Sequence, residues 1–188
     1  NLFLQTVYSP TGLYLGPYGY AAKYAHGQLL TETEDMQSDG PWGHSADFGY
    51  TIFSNNSLSK YFINKIPYSF EYDDIQAGTG YPHTEYAVFT TDKTLLVRAE
   101  AYALQGNYAA AVADLNTEVA AMSGGTMSVT LAGIKAFYAG LQEYTPTAPT
   151  PKKKFNAPFT IESTTQEPVL QAILHLRRIL TLGEGVRL

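Results

Sequence analysis

Residues 93 to 119 read KTLLVRAEAYALQGNYAAAVADLNTEV, and the spacing of their apolar side chains decides the fold. Leu95, Ala99 and Tyr102 step by four and three residues, which puts them on one face of a helix. Asp92 is placed to cap that helix and Gly106 to end it. Asn107 can cap a second helix, in which Tyr108, Ala111, Leu115 and Val119 repeat the same stepping until MSGG stops it at Gly124. Small residues at Ala99 and Ala111 let the two axes approach closely. The stretch therefore predicts a helical hairpin whose interior carries packing and no chemistry.

Downstream, Val129 to Leu141 aligns Ile134, Phe137, Tyr138 and Leu141 as a third helix, weakened at Gly133 and Gly140 by about 1 kcal/mol each. EYTPTAPTPKKKFNAPF follows, and its four prolines from Pro146 to Pro158 favour an extended loop. Lys152 to Lys154, with no interleaved aromatic residue, reads as an ordinary solvated run. A last helix is expected from a Thr165 cap, with Pro168 in its first turn, a stripe of Val169, Ile173, Leu176 and Leu180, and a stop at Gly183. Upstream, residues 1 to 90 are punctuated by SPTG, LGPYGY, SDGPWGH, SNNS and AGTGYPH, the last read as a turn. Only AAKYAHGQLL suggests a helix there, and YTIF and IPYSFEY read equally as short strands or extended loop.

Composition excludes several function classes. The 188 residues carry a formal net charge of -5, so no global basic field exists to collect nucleic acid or anionic lipid. Cysteine is absent, which removes disulfides, thiolate metal sites and cysteine nucleophiles. Charged residues make up only 15%, against roughly 25% in typical domains. The 15 tyrosines and 16 glycines instead suit uncharged polar ligands.

Leu95, Ala99, Tyr102, Gly106, Tyr108, Ala111 and Leu115 fall at the spacing of a tetratricopeptide repeat, with Arg98 where an apolar residue is usual. More specifically, TTDKTLLVRAEAYALQGNYAAAVADLN, followed after a proline-rich loop by RRILTLGEGVRL, resembles the SusD/RagB family of bacterial glycan-binding outer-membrane lipoproteins. The matching residues are Leu95, Leu96 and Arg98 to Tyr102, then Gly106 to Asn116, then Arg177, Arg178, Glu184, Gly185 and Arg187. The resemblance covers 91 to 188, and residues 1 to 90 are compatible with it in loop character only. It implies a mainly α fold: one SusD-like domain with a tetratricopeptide-type hairpin, long irregular loops and minor short β-strands. Residues 1–90 would be the loop-rich ligand-facing part, 91–124 the hairpin and 125–188 the C-terminal helices and proline-rich loop. Family members are longer and begin with a lipidated cysteine, so the chain is expected to be a C-terminal portion. The resemblance further implies a surface lipoprotein that binds oligosaccharide or polysaccharide without catalysis and delivers it to a SusC-like TonB-dependent transporter, touching the membrane only through an N-terminal lipid anchor.

The residues themselves offer candidates for that binding. A sugar ring presents an apolar face and a hydroxyl rim, so its sites pair an aromatic platform with polar side chains. SDGPWGHSADFGY supplies such a mixture: Trp42, the only tryptophan, with Asp39, His44 and Asp47. The competing reading is a tryptophan that plugs its loop against the scaffold. Tyr14, Tyr18 and Tyr20, and Tyr81, are weaker platforms, while Tyr102 and Tyr108 belong to packed helix faces. An Arg177 or Arg178 guanidinium paired with a carboxylate, Glu100 among the candidates, would join the last helix to the hairpin. Glu32, Glu34, Asp35 and Asp39 near Trp42 could form the carboxylate pair of a glycoside hydrolase, one rival reading. A tetratricopeptide adaptor for peptides is the other. No cofactor is expected; Asp35, Asp39 and Asp47 could supply oxygens to calcium but form no recognised loop motif, and no histidine pair has metal-ligand spacing.

Overall fold

The computed structural model describes residues 3–7, 38–44, 48, 52–55, 60–63 and 69–181. It is mainly helical, with small antiparallel sheets. The chain divides into two compact units, one of residues 1–28 with 50–90 and one of residues 29–49 with 91–188. The break between Thr90 and Thr91 falls where the sequence periodicity changes, whereas 29–49 joins the helices.

In the second unit, the hairpin forms as its periodicity requires. Helix α1 (Thr91–Leu104) begins one residue before the expected Asp92 cap, and the Asp92 carboxylate accepts the Lys93 N–H at 2.9 Å. It buries Leu96, Ala99 and Ala103 against α2 (Tyr108–Ser123), so the face is turned from the expected one and Leu95 and Tyr102 are only half-buried; α2 buries Ala111, Leu115 and Val119 as expected, with Tyr108 half-buried. Gly106 takes a positive φ of 77° that a residue with Cβ adopts only under strain, which turns the chain sharply. Asn107 then caps α2 by accepting the Ala110 N–H at 3.3 Å, and Gly124, at φ 63°, closes it.

The polar residues of the quoted stretch hold this unit together. Arg98 bonds Asp114 through Nε at 2.9 Å and Nη2 at 2.7 Å, tying α1 to α2. The Asn116 amide donates to the Val129 carbonyl at 2.9 Å and accepts the Val129 N–H at 2.7 Å, so an extended strap is fastened before α3. Thr130 caps α3 (Leu131–Ala139) by accepting the Gly133 N–H at 3.0 Å.

Helix α4 (Gln166–Thr181) packs on α1, α2 and α3 and buries Val169, Ile173, Leu176 and Leu180, the stripe expected. The expected stop at Gly183 lies outside the described residues. Its start is organised by Glu162, whose carboxylate accepts the N–H groups of Thr164, Thr165 and Gln166. A hydrogen bond from the Thr164 side chain foremost, and then those from the backbone N–H groups, lower the Glu162 carboxyl to about 2.

The loop between α3 and α4 is irregular, as its prolines dictate, but the lysine run is not simply solvated. Lys152 donates its ammonium to the carbonyls of Tyr138 at 3.0 Å and Leu141 at 3.3 Å, satisfying the end of α3. Lys153 stacks over the Tyr144 ring at 3.6 Å, and its backbone N–H and carbonyl are both bonded by the fully buried Gln171 amide. Only Lys154 is exposed. No aromatic residue is interleaved in the run, and the ring that Lys153 meets, Tyr144, comes from nine positions upstream.

Among its described residues the first unit is mostly strand. β1 (Phe3–Val7), β7 (Thr79–Phe89) and β6 (Ser69–Asp74) form an antiparallel sheet in that order, and β4 (Ile52–Asn55) pairs with β5 (Lys60–Ile63). AGTGYPH, expected as a turn, is thus turn only at Ala77 and Gly78 and strand from Thr79 to His83. Asp74 Oδ1 accepts the N–H groups of Gln76 and Ala77 at the tip, and Gly78 supplies φ 66°. β1 pairs with Thr84 to Phe89 and β6 with Thr79 to His83, so Pro82 sits where β7 has one neighbour. That position tolerates its missing N–H.

Candidate functional site

Of the two readings of the segment around Trp42, an exposed sugar platform and a ring plugged against the scaffold, the platform is corrected and the plug is found. β2 (Asp39–Gly40) and β3 (Gly43–His44) form a tight hairpin with Pro41 and Trp42 at its turn, and Gly43 takes φ 115°. The indole folds inward and is only 5% exposed. It meets Phe48 at 5.8 Å and His175 of α4 at 5.0 Å between centroids. It also covers Gly40 so closely that a Cβ there would run into the indole ring. No face of Trp42 is free for a sugar; burial of a large apolar ring outweighs the polarity of its neighbours in sequence.

Beneath it lies a polar chain that sequence reading missed. Ser38 Oγ stands 2.9 Å from His175 Nε2, and Tyr138 hydroxyl 3.3 Å from Nδ1. A serine on a histidine is the pairing of a nucleophile and its base, but there the second ring nitrogen is oriented by a carboxylate. Here a tyrosine hydroxyl occupies that place, and burial raises its pKa well above the usual range, keeping it neutral. With Ser38, His175 and Tyr138 all buried, the chain fastens the 38–48 segment to α3 and α4.

The other candidates separate. Asp39 and His44 are exposed, opposite each other across β2 and β3, with Asp39 Oδ1 at 2.8 Å from His44 Nδ1. Asp47, Tyr14, Tyr18, Tyr20, Glu32, Glu34, Asp35, Glu184 and Arg187 lie outside the described residues. Among the described residues no group of three or more histidines and carboxylates could hold a metal ion. No described helix is long and apolar enough to cross a membrane. Arg177 does pair with Glu100, Nη2 to Oε2 at 2.7 Å, joining α4 to α1.

Tyr81 is the candidate that faces solvent. It is 57% exposed on β7, directly opposite Glu71 of β6, so ring and carboxylate project from the same face. The other face carries Phe70 and Tyr72, edge-to-face at 5.0 Å, with Phe70 over Gly80. An added Cβ at Gly80 would strike the Glu71 carbonyl, so glycine is required for the strands to approach there.

One carboxyl has its pKa strongly raised. Glu118, buried on α2, is pushed up to about 7, mainly by burial and then by the charge of Asp92. Comparison of the chain with family models, curated proteins and solved structures gives no match.

Proposed function

We propose that the protein is a non-catalytic capture protein of the SusD kind, a surface-exposed outer-membrane lipoprotein that binds oligosaccharide and passes it to a SusC-like TonB-dependent transporter. The observation that carries this reading is the Arg177–Glu100 ion pair. It brings the RAEAY segment and the arginine-bearing last helix, two separate parts of the resemblance, into direct contact 77 residues apart. Arg98, Asp114 and Asn116 support it further, because the polar residues of the same stretches act as scaffold joints rather than as catalytic groups.

The binding role then falls to exposed aromatic surface. Tyr81 offers its ring beside the Glu71 carboxylate, an apolar platform with a hydrogen-bond acceptor at its edge. Titrating the 188-residue chain with oligosaccharides in a calorimeter, with reducing-end release assayed in parallel, tests the proposal. Binding without release is expected. Release of reducing ends favours the hydrolase reading, and binding of peptides but no glycan favours the adaptor.

A further inference from the structure

The helical unit contains a groove that none of the preceding roles uses. A cavity of about 370 Å³ opens between α3, the lysine-bearing loop and the start of α4. Lys135 of α3 and Lys152 of the loop line it, together with Ser163, Thr164, Glu167 and Pro168.

Both ammonium groups are held in place by neutral partners. Lys135 Nζ donates to Thr165 Oγ1 at 3.2 Å, and Lys152 Nζ to the Tyr138 and Leu141 carbonyls. Among the described residues neither forms an ion pair. An ammonium has three N–H donors, so Lys135 keeps two and Lys152 one for a ligand. The N-terminal N–H groups of α4 contribute nothing, being already taken by Glu162.

We infer that this groove binds a small polyhydroxylated carboxylate, of which a hexuronate is the simplest. Its carboxylate neutralises the two lysines through charge-assisted hydrogen bonds. Its hydroxyls meet Ser163 and Thr164, which donate or accept, and Glu167, which accepts. A neutral sugar leaves both ammonium groups without a counter-charge. Phosphate and a bare carboxylate can neutralise the lysines as well, but both leave the hydroxyls of Ser163 and Thr164 and the Glu167 carboxylate without a ligand hydroxyl to bond. The volume lies at the lower end of the about 300–1,000 Å³ usual for ligand pockets, which suits one ring rather than a chain. The inference uses no residue of the Tyr81 face and stands without the oligosaccharide reading.

The test is titration of the full chain with D-glucuronate, D-glucose, acetate and inorganic phosphate, followed by calorimetry and by amide chemical shifts. Glucuronate is expected to bind about tenfold or more tightly than the other three, with shifts centred on Lys135, Lys152 and Thr164. Lys135→Gln should weaken glucuronate about tenfold, the loss of one charge-assisted bond, with an unchanged melting temperature, and Lys135→Arg should restore most of it. Tyr81→Ala should leave it intact. Glucuronate binding no tighter than acetate, an unaltered affinity in Lys135→Gln, or loss of binding in Tyr81→Ala would each overturn the groove as the site.

Discussion

Trp42 and Tyr81 sit in similar sequence, each beside glycine and proline in a segment full of turn residues, yet one is buried and the other stands in solvent. The difference lies in what each meets. Trp42 caps a two-residue turn with Phe48 and the buried face of α4 beside it, so its ring has apolar surface to cover. Tyr81 lies on a ribbon whose opposing residue on that face is Glu71, an exposed carboxylate. Composition of a loop gives the chance of exposure; the opposing element decides it.

The comparison breaks most readily at Trp42. Trp42→Ala removes a buried aromatic ring and should cost about 3–5 kcal/mol of stability, read from urea denaturation. Gly40→Ala attacks the same contact from the other side and should cost about 1–3 kcal/mol, because the new methyl displaces the indole. If neither shifts the midpoint, Trp42 is not a core residue and its loop returns as a binding site.

Two glutamates sharpen the same contrast. Glu162, exposed and bonded by backbone N–H groups, titrates low, while Glu118, buried near Asp92, is raised to about 7 from 4.5. The folded chain thus holds the Glu118 proton more tightly than the unfolded chain does. Its contribution to stability is fully present below pH 4.5, declines as pH rises to about 7, and is lost above that. Glu118→Gln should therefore be more stable than the parent at pH 8 by on the order of 2 kcal/mol and indistinguishable at pH 4. Equal stability at pH 8 would mean the carboxylate is solvated in the folded chain.

A smaller effect is expected at the joint between α1 and α4. Arg177 and Glu100 are 23% and 40% exposed, so solvent screens the pair and a double-mutant cycle of Arg177→Met with Glu100→Gln should give a coupling of about 0.5–1 kcal/mol. A coupling of zero would leave the contact without energetic weight in joining the helices.

Which parts were legible follows from the range of the forces involved. Ala99, Ala111, Leu115 and the α4 stripe were readable because helix burial repeats every three to four residues in the chain itself, whereas the residues buried with Ala99 on α1 are Leu96 and Ala103, one position on from the Leu95 and Tyr102 expected. Gly106, Asn107 and Gly124 were readable because their backbone roles are local. Asn116 and Gln171 were not: each amide bonds both backbone groups of an extended segment 13 or 18 residues away, and nothing near it in sequence names that segment. Ser38 and His175 are separated by 137 positions, so their hydrogen bond has no sequence signature at all. β7 escaped because Pro82 reads as a breaker until its one-sided pairing is seen. Of the candidate sugar platforms, Tyr81 alone among those described keeps the exposure its role requires.

Tyr81 therefore yields the smallest effect on stability and the sharpest test of function. An exposed tyrosine on a two-stranded ribbon has little to lose on truncation, and Tyr81→Ala should move stability by no more than about 0.5 kcal/mol. Against an oligosaccharide that binds the parent chain, the same change should cost about 1–3 kcal/mol, or one to two decades in affinity, as expected when an aromatic anchor is removed. Tyr72 supplies the internal control, since it has the same side chain and nearly the same exposure, 56% against 57%, but projects from the opposite face beside Phe70. Tyr72→Ala should leave affinity unchanged if the Glu71 side is the platform. Equal losses in the two variants would mean that the ribbon is gripped on both faces, and no loss in either would remove it from the binding surface.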